Sequence, residues 1–191
     1  MASAITHAFI AISLGKTVFQ SEMTWRFWVF SLFCSVIPDI DTLGFFRHTF
    51  YGSFGGHRGF THSLFFAFFL SLAIVWLGFN DDSPFSTPRW KLWLFFFPLT
   101  CSHAILDAMT SGGYGAAFFS PFDPTRYSLP FTPLRISPIG LRRFFSPWGK
   151  EVMLNEVGWV WIPSLLVWSG ARLFRFINSR TLPRVVKEGK E

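Results

Sequence analysis

Apolar runs alternate with polar breaks along this chain, and their lengths predict five helices. Ala4 to Phe19 reads as a short apolar helix with His7 near its start. Trp25 to Ile37 gives a second, closed by Pro38-Asp39-Ile40-Asp41. At about 13 residues it is shorter than the roughly 20 that a full membrane span needs. A glycine-bearing loop over residues 42–59 leads into a third helix, Phe60 to Phe79, stopped by the breaker Asn80-Asp81-Asp82-Ser83-Pro84. The fourth runs from about Trp90 to Met109 with Pro98 as a site for a kink. Residues 111–150, rich in Gly, Pro and Arg, predict one long irregular loop, a kind of connection that usually serves as a lid or binding surface. Glu156 to Ile177 supplies the fifth helix, with Pro163 early in it. The expected architecture is all-α: a polytopic membrane helical bundle of about five helices, one domain over 1–178, with a flexible basic tail over 179–191.

Threading these spans puts the ionisable residues of the apolar segments on one side. His7 starts the first helix, Asp39 and Asp41 end the second, His57 and His62 start the third, His103 and Asp107 end the fourth, and Glu156 starts the fifth. Charged and imidazole groups are costly in apolar surroundings and are usually functional there, so their coincidence at one face implies a single site. His103 and Asp107, spaced i, i+4, share a helix face and can hold one ion together.

Composition agrees with a membrane setting. Half of the 191 residues are hydrophobic, with 27 Phe and 9 Trp, more aromatic than a soluble domain of this size needs. The chain opens without the basic n-region or small-residue cleavage site of a signal peptide, so the first helix is expected to be retained. Cys34 and Cys101 sit inside apolar runs, as buried thiols rather than a disulfide framework. The formal charge of +6 owes much to Arg172, Arg175, Arg180, Arg184, Lys187 and Lys190, a cytoplasmic flank rather than a nucleic-acid patch. Of the Lys and Arg, 10 fall opposite the site and 7 on its side. Positive-inside weighting then predicts a cytoplasmic C-terminus, an N-terminus outside, and a site facing away from the cytoplasm.

Histidines and carboxylates converging without cysteine suit zinc, manganese or iron better than a thiolate metal. The number of candidate ligands allows one or two ions, and the natural chemistry of such a site is hydrolysis. The hydroxyls Thr61, Ser63 and Ser102 lack the Gly-rich elbow of a serine hydrolase.

The motifs Thr6-His7, Pro38-Asp39-Ile40-Asp41, His57-Arg58-Gly59-Phe60-Thr61-His62-Ser63, His103-x3-Asp107, Thr110-Ser111-Gly112-Gly113 and Glu156-Val157-Gly158-Trp159 resemble those of the YdjM-like family of membrane-bound, predicted metal-dependent hydrolases of the bacterial inner membrane. That family is similar in turn to the zinc-dependent phospholipase C and P1-type nuclease group, from which this chain departs in lacking a second His-x3-Glu pair and an N-terminal Trp ligand. The resemblance implies an integral-membrane hydrolase that cleaves a phosphoester with one or two divalent ions, zinc first. The ligand pool is His7, Asp39, His57, His62, His103 and Asp107. Asp41 is a further ligand or an orienting group, and either Asp39 or Asp41 could deprotonate the water. Arg58 and Arg126 are candidate phosphate clamps, against the alternative of headgroup or cap arginines. Thr61 and Ser63 are candidates for substrate contact or support. Glu156 is a late ligand or a carboxylate favoured at its helix N-terminus. Ligands at headgroup level beneath a Phe- and Pro-rich loop point to a lipid substrate met within the membrane. Two other functions stay open, a structural or sensory metal site and an amide or ester hydrolase; a transporter would need ionisable groups at mid-membrane on more than one helix, and here they fall mainly at one face.

Overall fold

A computed structural model describes residues 1–19, 23–47, 52–79 and 87–181. The expected breaker at 80–84 and the end of the basic tail, 182–191, lie outside the described residues. Helices α1 (Ala4–Val18), α2 (Trp25–Val36), α3 (Leu64–Gly78) and α4 (Arg89–Ala108) are followed by a short α5 (Leu141–Phe144), then α6 (Pro147–Glu156) and α7 (Ile162–Thr181). Among the described residues there are only isolated β-bridges and no strand.

The starts follow ordinary capping chemistry. Ser3, Thr24, Ser63 and Ser146 are extended N-caps whose side-chain oxygens accept amide N–H groups from the first turns of α1, α2, α3 and α6. Ser63 is therefore a cap, and it separates α3 from a 3-10 turn, Phe60–His62, that precedes it.

Two sequence expectations change. The second helix does not end at Pro38: it runs on as a 3-10 helix, Ile37–Arg47, so that Trp25–Gly44 is apolar and helical over 20 residues, long enough to span a bilayer. Proline is tolerated because it lies at the start of the tighter helix, where its missing N–H is least felt. The expected loop over 111–150 instead ends in α5 and the start of α6. Ser146 caps α6 and Pro147 occupies its first turn, and a π-turn, Val157–Trp161, joins α6 to α7. Pro147–Arg180 thereby forms a second 34-residue stretch apolar enough to cross a membrane, whereas Ala4–Val18 and Leu64–Gly78 are apolar but shorter.

The core is aromatic. Phe27, Phe95, Phe96, Leu92 and Leu99 pack with Ala11, Ile74 and Val75 where α1 to α4 meet, and Cys34 and Cys101 are buried free thiols. α3 packs on α4, and α1 on both α2 and α7. The outer faces stay apolar, with Leu77 80% exposed on α3 and Leu166 68% exposed on α7, as a lipid-facing surface requires.

Candidate metal centre

Four of the helical elements deliver ionisable side chains to one buried cluster. His7 comes from the first turns of α1, Asp39 from the 3-10 extension of α2, His62 from the turn before α3, and His103 and Asp107 from the last turns of α4. One ligand atom from each of Asp39, His62, His103 and Asp107 lies within 4.8 Å of the others. His103 Nε2 is 3.3 Å from Asp39 Oδ1, His62 Nε2 is 3.4 Å from Asp107 Oδ2, and His7 Nε2 is 3.5 Å from Asp107 Oδ1. The His7 and His103 rings stack at 3.7 Å.

These atoms share a second property. His7 Nε2, both oxygens of Asp39, His62 Nε2, His103 Nε2 and Asp107 Oδ2 are buried without a hydrogen-bond partner. Buried polar atoms left so are rare and costly. A cation among them would satisfy the whole set, and the mixture of imidazole and carboxylate without thiolate fits a divalent ion of borderline or hard character.

The opposite ring nitrogens of His103 and His62 are held, whereas His7 Nδ1 has no hydrogen-bond partner. His103 Nδ1 lies 2.7 Å from the Ser35 carbonyl oxygen, which can only accept, so this nitrogen carries the proton and Nε2 is free to ligate. His62 Nδ1 lies 3.1 Å from Asp41 Oδ2. Asp41 also takes His57 Nδ1 at 2.7 Å, the Thr61 hydroxyl at 2.7 Å and the Arg58 backbone N–H at 3.0 Å. Four partners fill its oxygens, so Asp41 has the surroundings of an orienting group rather than an open ligand. A second grouping, Asp41, His57 and His62, has the residue types for another ion, but its carboxylate is already engaged. Burial alone would lower the His62 imidazole. The Asp107 and Asp41 carboxylates against its two nitrogens push it up to about 9 in the metal-free protein.

Arg58 belongs to the cluster. It is 2% exposed, its Nε is 3.3 Å from Asp107 Oδ2, and its Nη2 donates to Thr110 Oγ1 at 2.8 Å. Nη1 has no partner. The backbone there is left-handed, with φ of 61°, a conformation that costs energy in a side-chain-bearing residue. The next residue has to be glycine, since a Cβ on Gly59 would sit 2.4 Å from the Phe54 carbonyl oxygen.

Two expected residues lie elsewhere. Arg126 donates to the carbonyls of His57 at 2.8 Å and Ser53 at 3.3 Å, bracing the histidine loop from outside. Glu156 is not at the N-terminus of its own helix, because α6 began nine residues earlier. It accepts the Ser3 backbone N–H at 2.6 Å and the Thr6 hydroxyl at 2.7 Å, and so caps the start of α1 immediately before His7. Ser35 escaped the sequence reading because it acts through its carbonyl, which leaves no trace in residue type. Thr110 stood in the quoted motif without a role.

The chain is 33% identical over 173 residues to the inner membrane protein YbcI of Escherichia coli K12, a match that covers 87% of this chain and 95% of that protein. No solved structure matches it. The family described as YdjM inner membrane protein matches residues 1–179, and the chain, an all-helical membrane protein with a buried His/Asp cluster able to hold a metal ion, belongs to that family.

Proposed function

We propose that this chain is a multi-pass inner-membrane hydrolase in which one divalent ion, zinc by preference, is held by Asp39, His62, His103 and Asp107 with His7 beside them. When bound, the ion would supply positive charge against phosphoryl oxygens and acidify a water molecule. The substrate class is a lipid phosphoester.

The observation that carries this reading is Arg58. A structural metal has no use for a buried guanidinium with an unpartnered Nη1 at its edge, whereas a catalytic centre needs a donor for an anionic group and for the charge that develops on it. Asp107 holds that guanidinium through Nε. Asp39, both of whose oxygens are unpartnered, can present one oxygen to the ion and receive a water proton on the other. Asp41 sets the His62 ring. The site faces away from the cytoplasm in this reading, and one feature supports that orientation. At the opposite end of the bundle Lys16, Arg26, Arg89 and Lys91 lie over Trp28, Trp25, Trp76 and Trp90, the basic and aromatic belt of a cytoplasmic interface.

A structural or sensory metal site is the second reading, and burial favours it: His103 and Asp107 are 0% exposed and Asp39 only 8%. Elemental analysis of gently purified protein, followed by a screen of phospholipids and lipid phosphates with metal-loaded and chelator-stripped protein, separates the two. Metal-dependent release of phosphate or of a phosphorylated headgroup supports hydrolysis. Bound metal without turnover of any lipid, together with stability lost on chelation, supports the structural site.

A further inference from the structure

An apolar groove of about 450 Å³ opens between α3, α4 and the segment that follows Ala116. Its walls are Leu64, Phe65, Phe68, Phe97, Phe118 and Phe122. We propose that it binds one acyl chain of the lipid whose headgroup enters the metal centre, an inference that rests on the hydrolase reading above.

Position is the first argument. Leu64 lies two residues after His62, and its backbone N–H donates to the Phe118 carbonyl at 2.9 Å. The neighbouring Ala117 donates to the Arg58 carbonyl at 3.0 Å. Consecutive Cα atoms are about 3.8 Å apart, so one step of chain joins the wall of the groove to the loop that carries the guanidinium. A chain lying in the groove has its polar end directed toward Arg58 and His62.

The lining is the second. Only Ser120 brings a side-chain polar atom to the groove, so a peptide laid there would bury N–H and C=O groups without partners, at a cost a hydrocarbon chain does not incur. Its volume is in the range of small-ligand sites, ~300–1,000 Å³, and too small for a helix. Continuity is the third argument. The groove opens along the same side of α3 that exposes Phe68 at 39% and Phe69 at 51%. A lipid can slide in from the bilayer without its chain crossing water, and Phe65 meets Phe122 edge-on at 5.6 Å to close one side.

The test uses full-length protein in phosphatidylcholine vesicles doped with phosphatidylglycerol carrying a diazirine at the end of one acyl chain. After irradiation, adducts are mapped by mass spectrometry. They should concentrate on Phe65, Phe68, Phe97 and Phe122, and fall several-fold in Leu64→Trp, which fills the groove, with bound metal unchanged as the check on folding. Phe122→Ala, at an 82% exposed position whose loss cannot disturb the core, should also reduce them by removing one wall. Adducts spread as densely over the lipid-facing side of α7, or undiminished in both variants, overturn the proposal. Labelling needs no turnover, so the two readings fail separately. A labelled groove in a protein that hydrolyses nothing removes the hydrolase and keeps the lipid site. Hydrolysis of a short-chain phosphoester by a protein whose groove stays unlabelled removes the chain site and keeps the hydrolase.

Discussion

The carboxylate of Glu156 closes on Ser3, 153 positions away in sequence, accepting both its backbone N–H at 2.6 Å and its hydroxyl. The same oxygen that meets the Ser3 hydroxyl also meets Thr6 at 2.7 Å, so the start of α1, and with it His7, is fixed by a residue outside the metal centre. Glu156→Ala strands three buried donors at roughly 1–3 kcal/mol each, and the expected result is a loss of about 3 kcal/mol in stability together with weakened metal binding. Glu156→Gln keeps one acceptor and should recover much of both. Thermal unfolding and metal titration of the two variants check this, and full metal affinity in Glu156→Ala would refute a positioning role.

His103→Ala removes a ligand at a buried site and should leave purified protein without stoichiometric metal. Asp107→Ala should do more, because it also leaves the Arg58 guanidinium buried without its carboxylate, which costs about 3–5 kcal/mol in comparable cases. The expected order of stability is wild type, His103→Ala, then Asp107→Ala. Elemental analysis beside denaturant melts reads it out.

Asp39 and Asp41 are predicted to separate by mechanism. Asp39→Asn should abolish hydrolysis, with metal weakened or lost. Asp41→Asn puts an amide N–H₂ against donors, loosens the His62 ring, and should weaken metal binding by about 10- to 100-fold, the usual cost of losing an orienting partner. Excess metal should then restore turnover in Asp41→Asn and not in Asp39→Asn.

Metal uptake should depend on pH through His62. Its folded value is raised to about 9 from 6.5, so the protonated ring stabilises the metal-free fold fully below pH 6.5, and that contribution is lost as pH rises through 9. Binding an ion at Nε2 must expel the same proton, and affinity therefore climbs with pH between these limits. Calorimetric titration at pH 6.5 and pH 8.5 should show tighter binding at the higher value, with close to one proton released at pH 6.5 and still most of one at pH 8.5.

For topology, alkaline phosphatase fused to the C-terminus should be inactive and a fluorescent protein there bright. The reverse pattern would put the metal centre on the cytoplasmic side.

Much of the site was legible because an ionisable residue in an apolar run stands out, and His7, Asp39, His62, His103 and Asp107 all do. The division of labour between Asp39 and Asp41 was not. In a 3-10 helix, residues two apart point in different directions, about 240° around the axis, and sequence cannot show that one carboxylate turns to the ion cluster while the other turns to the histidine loop. The extension of α2 was hidden by Pro38, which reads as a stop when the following turn is assumed to be ordinary helix. The start of α6 was hidden by Gly149, Lys150 and Glu151, which blur its apolar period although Ser146-Pro147 is a sound start signal. Glu156 was grouped with the ionisable residues and does lie beside the start of α1 that carries His7, but it was assigned to the wrong helix end, because its partner lies at the other end of the chain.

The π-turn between α6 and α7 has a consequence for how this long helix tolerates change. Thr6 is met by Glu156 at one end of that turn and by the Trp161 indole N–H, at 2.8 Å, at the other. In an unbroken α-helix two positions five apart face about 140° away from each other, and no single hydroxyl could serve both. The wide turn acts as a one-residue insertion that brings them onto a common side. Removing one of Val157, Gly158, Trp159 or Val160 would therefore let the turn close into ordinary α-helix, with the glutamate and the tryptophan four positions apart and about 40° round the axis, so that α7 stays in phase with α6 and both still reach Thr6.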